Sequence, residues 1–280
     1  MGDSMKRFSA LLTAAGLILP LIIAPVAAAD AVTDKAGTKA EKSEEAPFQA
    51  RENAMADVDA LLARASSKGK LGLIIMGGNW CHDSHALARR MSTPELAPIL
   101  NANYESMLID VAGLSDNMDV AKRFGRPVIY GTPTVLIIDP ATKQLVNAHN
   151  MHQWRDAESI SLEDTTEYFT KMAKADTRDM PDELADNAQY NQLAAGIAAF
   201  EQNQAKRIYT AFAVVGPMLM MSDDERPENF RALWVELSKF RYQITKDLSA
   251  LDAQARVFVA NGNTSGKLSY PSYKPFSWEE

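Results

Sequence analysis

The sequence predicts an α/β domain over residues 48–175 followed by an α-helical extension over 176–280. Three observations carry this reading. "LGLIIM", Leu71 to Met76, and "TVLII", Thr134 to Ile138, are continuous apolar runs bounded by glycine or proline, which suits strands buried on both faces. Helical patterns alternate with these runs. After Ala175 the strand-like runs stop and two long apolar stripes at helical spacing replace them.

The first 29 residues are expected to lie outside the fold. Lys6 and Arg7 precede an apolar run from Leu11 to Val26, and Ala27, Ala28 and Ala29 supply the small residues of a secretory cleavage site before Asp30. Pro20 and Pro25 interrupt the run, which falls short of the roughly 20 residues a bilayer span requires, so a cleaved signal is favoured over an anchor. The expected location is therefore periplasmic or secreted, with no stable membrane anchor after cleavage. Losing residues 1–29 removes Lys6, Arg7 and Asp3, which takes the formal charge from −7 to −8. That acidity argues against nucleic acid as a partner. Residues 30–47 carry almost no large apolar side chain and read as a disordered tether.

Within residues 48–67, Met55, Val58, Leu61 and Leu62 recur at helical spacing, and Gly69 ends that helix. The strand at 71–76 follows, then a helix carrying Ala86, Leu87 and Met91. "YESMLIDV", 104–111, reads as a second buried strand, and "NMDVAKRFG" as a short helix closed by Gly125. Thr132 and Pro133 lead into the third strand, "QLVNAHN" makes a fourth, and 162–173 forms a helix with Leu162, Tyr168, Phe169 and Met172 available for one face. In the extension, Leu193, Ile197, Phe200, Ile208, Phe212 and Val215 form one stripe, and residues from Phe230 to Leu251 another. Gly216-Pro217 and Arg226-Pro227 are expected to break the chain between them, and "SYPSYKPFSWEE" to drape over a surface.

The chain holds one cysteine, Cys81, so an internal disulfide is impossible. Cys81 falls where the first strand gives way to a helix. A thiol there faces unpaired backbone N–H groups and the positive end of the helix dipole, both of which favour thiolate. His82 adds to this when protonated, whereas Asp83 opposes it by like charge. Ser84, one turn along, is placed to donate its O–H to Cys81.

The order of elements, the "WCHDS" segment at a strand-to-helix turn and "GTPT" before the next long strand together resemble the thioredoxin superfamily over residues 48–175. The resemblance implies a central mixed sheet flanked by helices. It also implies that Cys81 is the nucleophile of a Cys-x-x-Cys motif whose second cysteine is replaced by Ser84, with Trp80, Thr132 and a cis Pro133 on the substrate side. Ile75 stands where disulfide-reducing members carry a buried carboxylate. Thiol exchange runs through a mixed disulfide that a resolving cysteine normally breaks. With Ser84 in that place, release must come from the substrate's own second thiol, a small thiol or another protein. The implied activity is monothiol exchange, isomerisation or trapping on protein or small-molecule thiols of the cell envelope, with no cofactor.

Two other readings compete. One is a redox-inactive binding module in which Cys81 is a small core residue. The other is a copper or zinc site using Cys81, His85, His149 and His152, or the methionines of "PMLMMS" at 217–222. The lack of a second cysteine and the fitness of methionine for filling core gaps disfavour the metal reading.

Overall fold

A computed structural model describes residues 46–174 and 183–279; the expected signal peptide and most of the expected tether lie outside the described residues. The chain from Glu45 to Glu280 forms one compact unit.

Helix α1 (Ala54–Ser67) spans the expected apolar spacing from Met55 to Leu62, and Asn53 caps it by accepting from the Ala56 N–H at 3.1 Å. Strand β1 (Leu71–Gly77) is buried throughout. It leads into α2 (His82–Met91), and α3 (Ala97–Asn103) precedes β2 (Tyr104–Asp110). After α4 (Met118–Arg123) come β3 (Thr134–Asp139), β4 (Gln144–Leu145), a 3₁₀ helix (Met151–Ser159) and α5 (Leu162–Met172). The extension is α6 (Ala188–Leu219) and α7 (Phe230–Ala260).

The four strands form a mixed sheet in the order β2-β1-β3-β4, with β1 parallel to β2 and antiparallel to β3. Helices cover both faces. Ile74, Met76, Leu136 and Ile138 point toward α1, α4, α6 and α7, while Leu73, Ile75, Val135 and Ile137 point toward α2 and α5. Residues on both sides of position 175 thus contribute to one core.

Several elements differ from the sequence expectation. β2 is an edge strand in which only Tyr104, Met107 and Ile109 are buried. The fourth strand is cut to two residues because the Asn147 side chain takes over the ladder. Its Oδ1 accepts from the Ile137 N–H at 3.0 Å, and its Nδ2 donates to the Val135 carbonyl at 3.0 Å and to the Tyr168 hydroxyl at 3.1 Å. On α5 the buried positions are Thr165, Phe169 and Met172.

The helix α6 runs through Gly216 and Pro217 instead of breaking there. Pro217 lies two residues from the helix end, so the donor it lacks removes only one late hydrogen bond. Gly216 is required by packing, since a Cβ there would sit 1.9 Å from the Gly113 carbonyl oxygen. The loop carrying Gly113 holds Ala112 and Leu114 at positive φ, with Leu114 fixed by near-complete burial. Leu193, Ile197 and Phe200, in the first half of α6, are only half-buried. The C-terminal tail lies on the α6–α7 pair through Phe276, which packs edge-on to Phe240 at 4.9 Å and stacks on Trp278 at 4.5 Å.

Candidate functional site at Cys81

The carboxyl end of β1 presents the loop Gly78–Trp80. Asn79 pins this loop by a reciprocal pair: its Oδ1 accepts from the Phe48 N–H at 3.1 Å and its Nδ2 donates to the Phe48 carbonyl at 2.9 Å. Cys81 follows as the N-cap of α2, in extended backbone conformation, with its carbonyl accepting from the His85 N–H at 3.1 Å.

The thiol is 8% exposed and donates to the Thr132 carbonyl at 3.3 Å. The Thr132–Pro133 peptide bond is cis. The sulfur makes no capping bond to the helix N–H groups. Its partner is also not the Ser84 hydroxyl expected from the sequence. Ser84 is fully buried, and its Oγ accepts from the Gly78 N–H at 3.4 Å.

His82 points outward, 79% exposed, with Nε2 3.2 Å from Asp83 Oδ2. Asp83 accepts from the Glu158 N–H at 2.8 Å, tying the start of α2 to the 3₁₀ helix. Burial holds its carboxyl above the usual carboxylate range, against the lowering effect of that hydrogen bond and of His82. Trp80 donates from Nε1 to the Ala112 carbonyl at 2.7 Å and meets Trp234 of α7 edge-on, with ring centroids 5.9 Å apart. Its indole is therefore committed to packing, and Thr132 is itself 7% exposed with its carbonyl already engaged.

For the metal reading, the His85 Nε2 lies 2.8 Å from the Asn79 carbonyl, which fixes the proton on that nitrogen. His152 sits edge-on to Tyr130 at 5.4 Å, and burial, reinforced by Arg126 and Arg155, pulls it down to about 4. Among the described residues no group of three or more His, Cys, Asp or Glu side chains gathers to hold a metal ion.

Sequence reasoning missed the residues that roof the thiol. A pocket of about 540 Å³ lies over Cys81 and is lined also by Arg155 of the 3₁₀ helix and by Trp234, Arg241 and Tyr242 of α7. The 3₁₀ helix is anchored by Trp154, fully buried and stacked on Phe169 at 5.2 Å. That anchoring directs Arg155 across Gly131, where its guanidinium covers the Tyr242 ring at 3.5 Å and donates to the Thr245 hydroxyl at 3.1 Å.

Arg241 is 5% exposed, lies 4.8 Å from the Trp234 ring and 5.8 Å from Phe212, and donates to the Ser238 hydroxyl at 3.2 Å. Burial pulls its guanidinium down to about 10, with Arg155 adding to this and Tyr242 and Cys81 opposing it, so it remains a cation at neutral pH. The signal available in the sequence was an arginine on the apolar stripe of α7, four residues after Leu237 and three before Ile244. A larger open groove of about 960 Å³ runs along α7 and the tail, past His149 and Tyr273, but does not reach Cys81.

A family model described as thioredoxin-like matches residues 53–140, from the cap of α1 to the end of β3. The domain is thioredoxin-like. The match takes in Cys81, Thr132 and Pro133, while the roof of the pocket, with Arg155 and Arg241, lies outside it. Among solved structures the chain is similar to the crystal structure of disulphide isomerase from Xylella fastidiosa Temecula1. The identity is 21%, covering 47% of this chain and 100% of that one, with a TM-score of 0.44. Among curated proteins nothing matches the chain.

Proposed function

We propose that this chain is an exported thioredoxin-like protein that exchanges thiols through Cys81 alone, by monothiol exchange, isomerisation or trapping. The observation that carries the reading is the thiol's position: Cys81 caps α2 and faces a pocket whose roof holds the buried cation Arg241. A cation and a helix N-terminus both favour the thiolate that attacks disulfides. Ser84 contributes by its bond to Gly78, which shapes the turn, while His82 points outward and pairs with Asp83. Export rests on the charge and apolar pattern of residues 1–29, and the mass of the mature envelope protein, starting at Asp30, tests it.

The near-complete burial of the thiol favours a second reading, a binding module without chemistry. Iodoacetamide alkylation at neutral pH separates the two. Exchange chemistry predicts that Cys81 is alkylated faster in the folded protein than in the same chain unfolded in urea. Slower alkylation on folding supports the binding module and ends the reactive-thiol reading.

A further inference from the structure

The pocket over Cys81 contains a charge without a counter-charge. Each acidic group on its wall is already engaged. Asp83 meets His82 and the Glu158 N–H, Asp156 meets Arg155 and the Tyr242 hydroxyl, and Glu158 lies 3.6 Å from Arg89. Of the cations, Arg226 pairs with Asp223 at 2.6 Å. Arg241 has no carboxylate partner among the described residues, and its Nε, buried within the protein, has no hydrogen-bond partner. A buried guanidinium left unpaired is costly, whereas a carboxylate can satisfy it with two parallel hydrogen bonds.

The pocket's shape limits what can supply that anion. A Cβ on Gly131 would stand 2.6 Å from the Arg155 side chain, so Arg155 covers the backbone beside Thr132. The remaining space of about 540 Å³ over the thiol suits a small molecule.

We infer that the pocket takes a low-molecular-weight thiol or disulfide bearing a carboxylate, which Arg241 holds while the ligand's sulfur meets Cys81. This rests on the exchange reading of Cys81 and names its substrate class. The Cys81 thiolate attacks one sulfur of a disulfide R–S–S–R, forming Cys81–S–S–R and expelling R–S⁻, which takes a proton from water. A second small thiolate then attacks the ligand's sulfur, forming a new small disulfide and returning the Cys81 thiolate. One disulfide and one thiolate are exchanged for one disulfide and one thiolate, and no outside oxidant or reductant is needed.

The test compares dithiodipropionate, a dianion, with cystamine, a dication of similar length. Modification of Cys81 in the full chain is followed by intact mass, each rate being divided by that of the urea-unfolded chain. The expected result is a preference of at least about tenfold for dithiodipropionate, the size of one charge-assisted hydrogen bond. Arg241→Met abolishes the preference, slowing dithiodipropionate at least about tenfold more than cystamine, and Arg241→Lys, which keeps the charge and checks folding, retains part of it. Equal slowing of both probes in Arg241→Met means that Arg241 acts only through the thiolate and not on the ligand, which overturns the inference. A preference that survives in Arg241→Met overturns it too.

Suberate, of matching length without sulfur, separates the inference from the exchange reading. Calorimetric titration into the Cys81→Ser protein is expected to show binding that Arg241→Met weakens at least about tenfold. If suberate binds in this way but neither disulfide modifies Cys81, the exchange reading fails and the anion site stands. If both disulfides modify Cys81 alike and suberate does not bind, the anion site fails and exchange stands.

Discussion

Replacing Gly216 with alanine sets two physical effects against each other. In a helix interior alanine is favoured over glycine by about 1 kcal/mol, so α6 considered alone predicts a gain. The structure predicts a loss. The new Cβ would lie 1.9 Å from the Gly113 carbonyl oxygen, whereas ordinary contact begins at 3.4 Å, so helix and loop must separate by about 1.5 Å. The partner is backbone, in a loop already holding Ala112 and Leu114 at positive φ, and has little room to yield. A gap of 0.5 to 1 Å forfeits roughly a quarter to a half of a dispersion contact. Ile208, Phe212, Val215 and Leu219, all buried on α6, share the displacement. A cost of about 2–4 kcal/mol, less the propensity gain, leaves the variant about 1–3 kcal/mol less stable. Urea unfolding checks this, and a loss near 2 kcal/mol corresponds to a fall in Tm of roughly 4–8 °C in a chain of this size. A variant as stable as the parent, or more so, would refute the docking of α6 on this loop, and with it the roof over Cys81.

Two further predictions concern other parts of the frame. Asn147→Leu leaves the Ile137 N–H and the Val135 carbonyl without their partner at the edge of β3, and should lower stability by about 3 kcal/mol in urea unfolding; a loss under about 1 kcal/mol would mean that the ladder does not depend on this side chain. His152 lies at about 4 in the folded chain against 6.5 when unfolded, so the unfolded chain binds the proton first as pH falls. Stability is therefore complete above about 6.5 and declines toward 4, by about 2 kcal/mol once partial exposure is allowed for. His152→Gln should remove that part of the decline, and identical pH profiles for both proteins would contradict it.

The core of the domain was legible because its signals are local. Uninterrupted apolar runs mark β1 and β3, and Gly69 and Gly125, both at positive φ, end their helices as expected. What escaped depends on contacts distant in sequence. The fourth strand reads as seven residues, but Asn147 substitutes its side chain for the backbone ladder after two. The 3₁₀ helix has no periodicity to reveal it and exists because Trp154 packs on Phe169 and Tyr168. Gly216-Pro217 looks like a break, yet the glycine serves close packing against Gly113.

The site divides in the same way. Cys81, Ser84, Thr132 and Pro133 were identifiable from two short segments about 50 residues apart. Their bonding was not, since Cys81 reaches the Thr132 carbonyl and Ser84 the Gly78 N–H. Arg241 lies 160 residues from Cys81 in sequence, and only the packing of α7 brings the two to one pocket.

The central claim is that Cys81 forms a mixed disulfide that needs no second cysteine of this chain for its release. Intact mass of the full chain treated with dithiodipropionate, then with mercaptopropionate, tests it most directly. The account predicts one adduct, located on Cys81, that the small thiol removes to regenerate the starting mass. A folded chain that forms no adduct, while the urea-unfolded chain does, would contradict it.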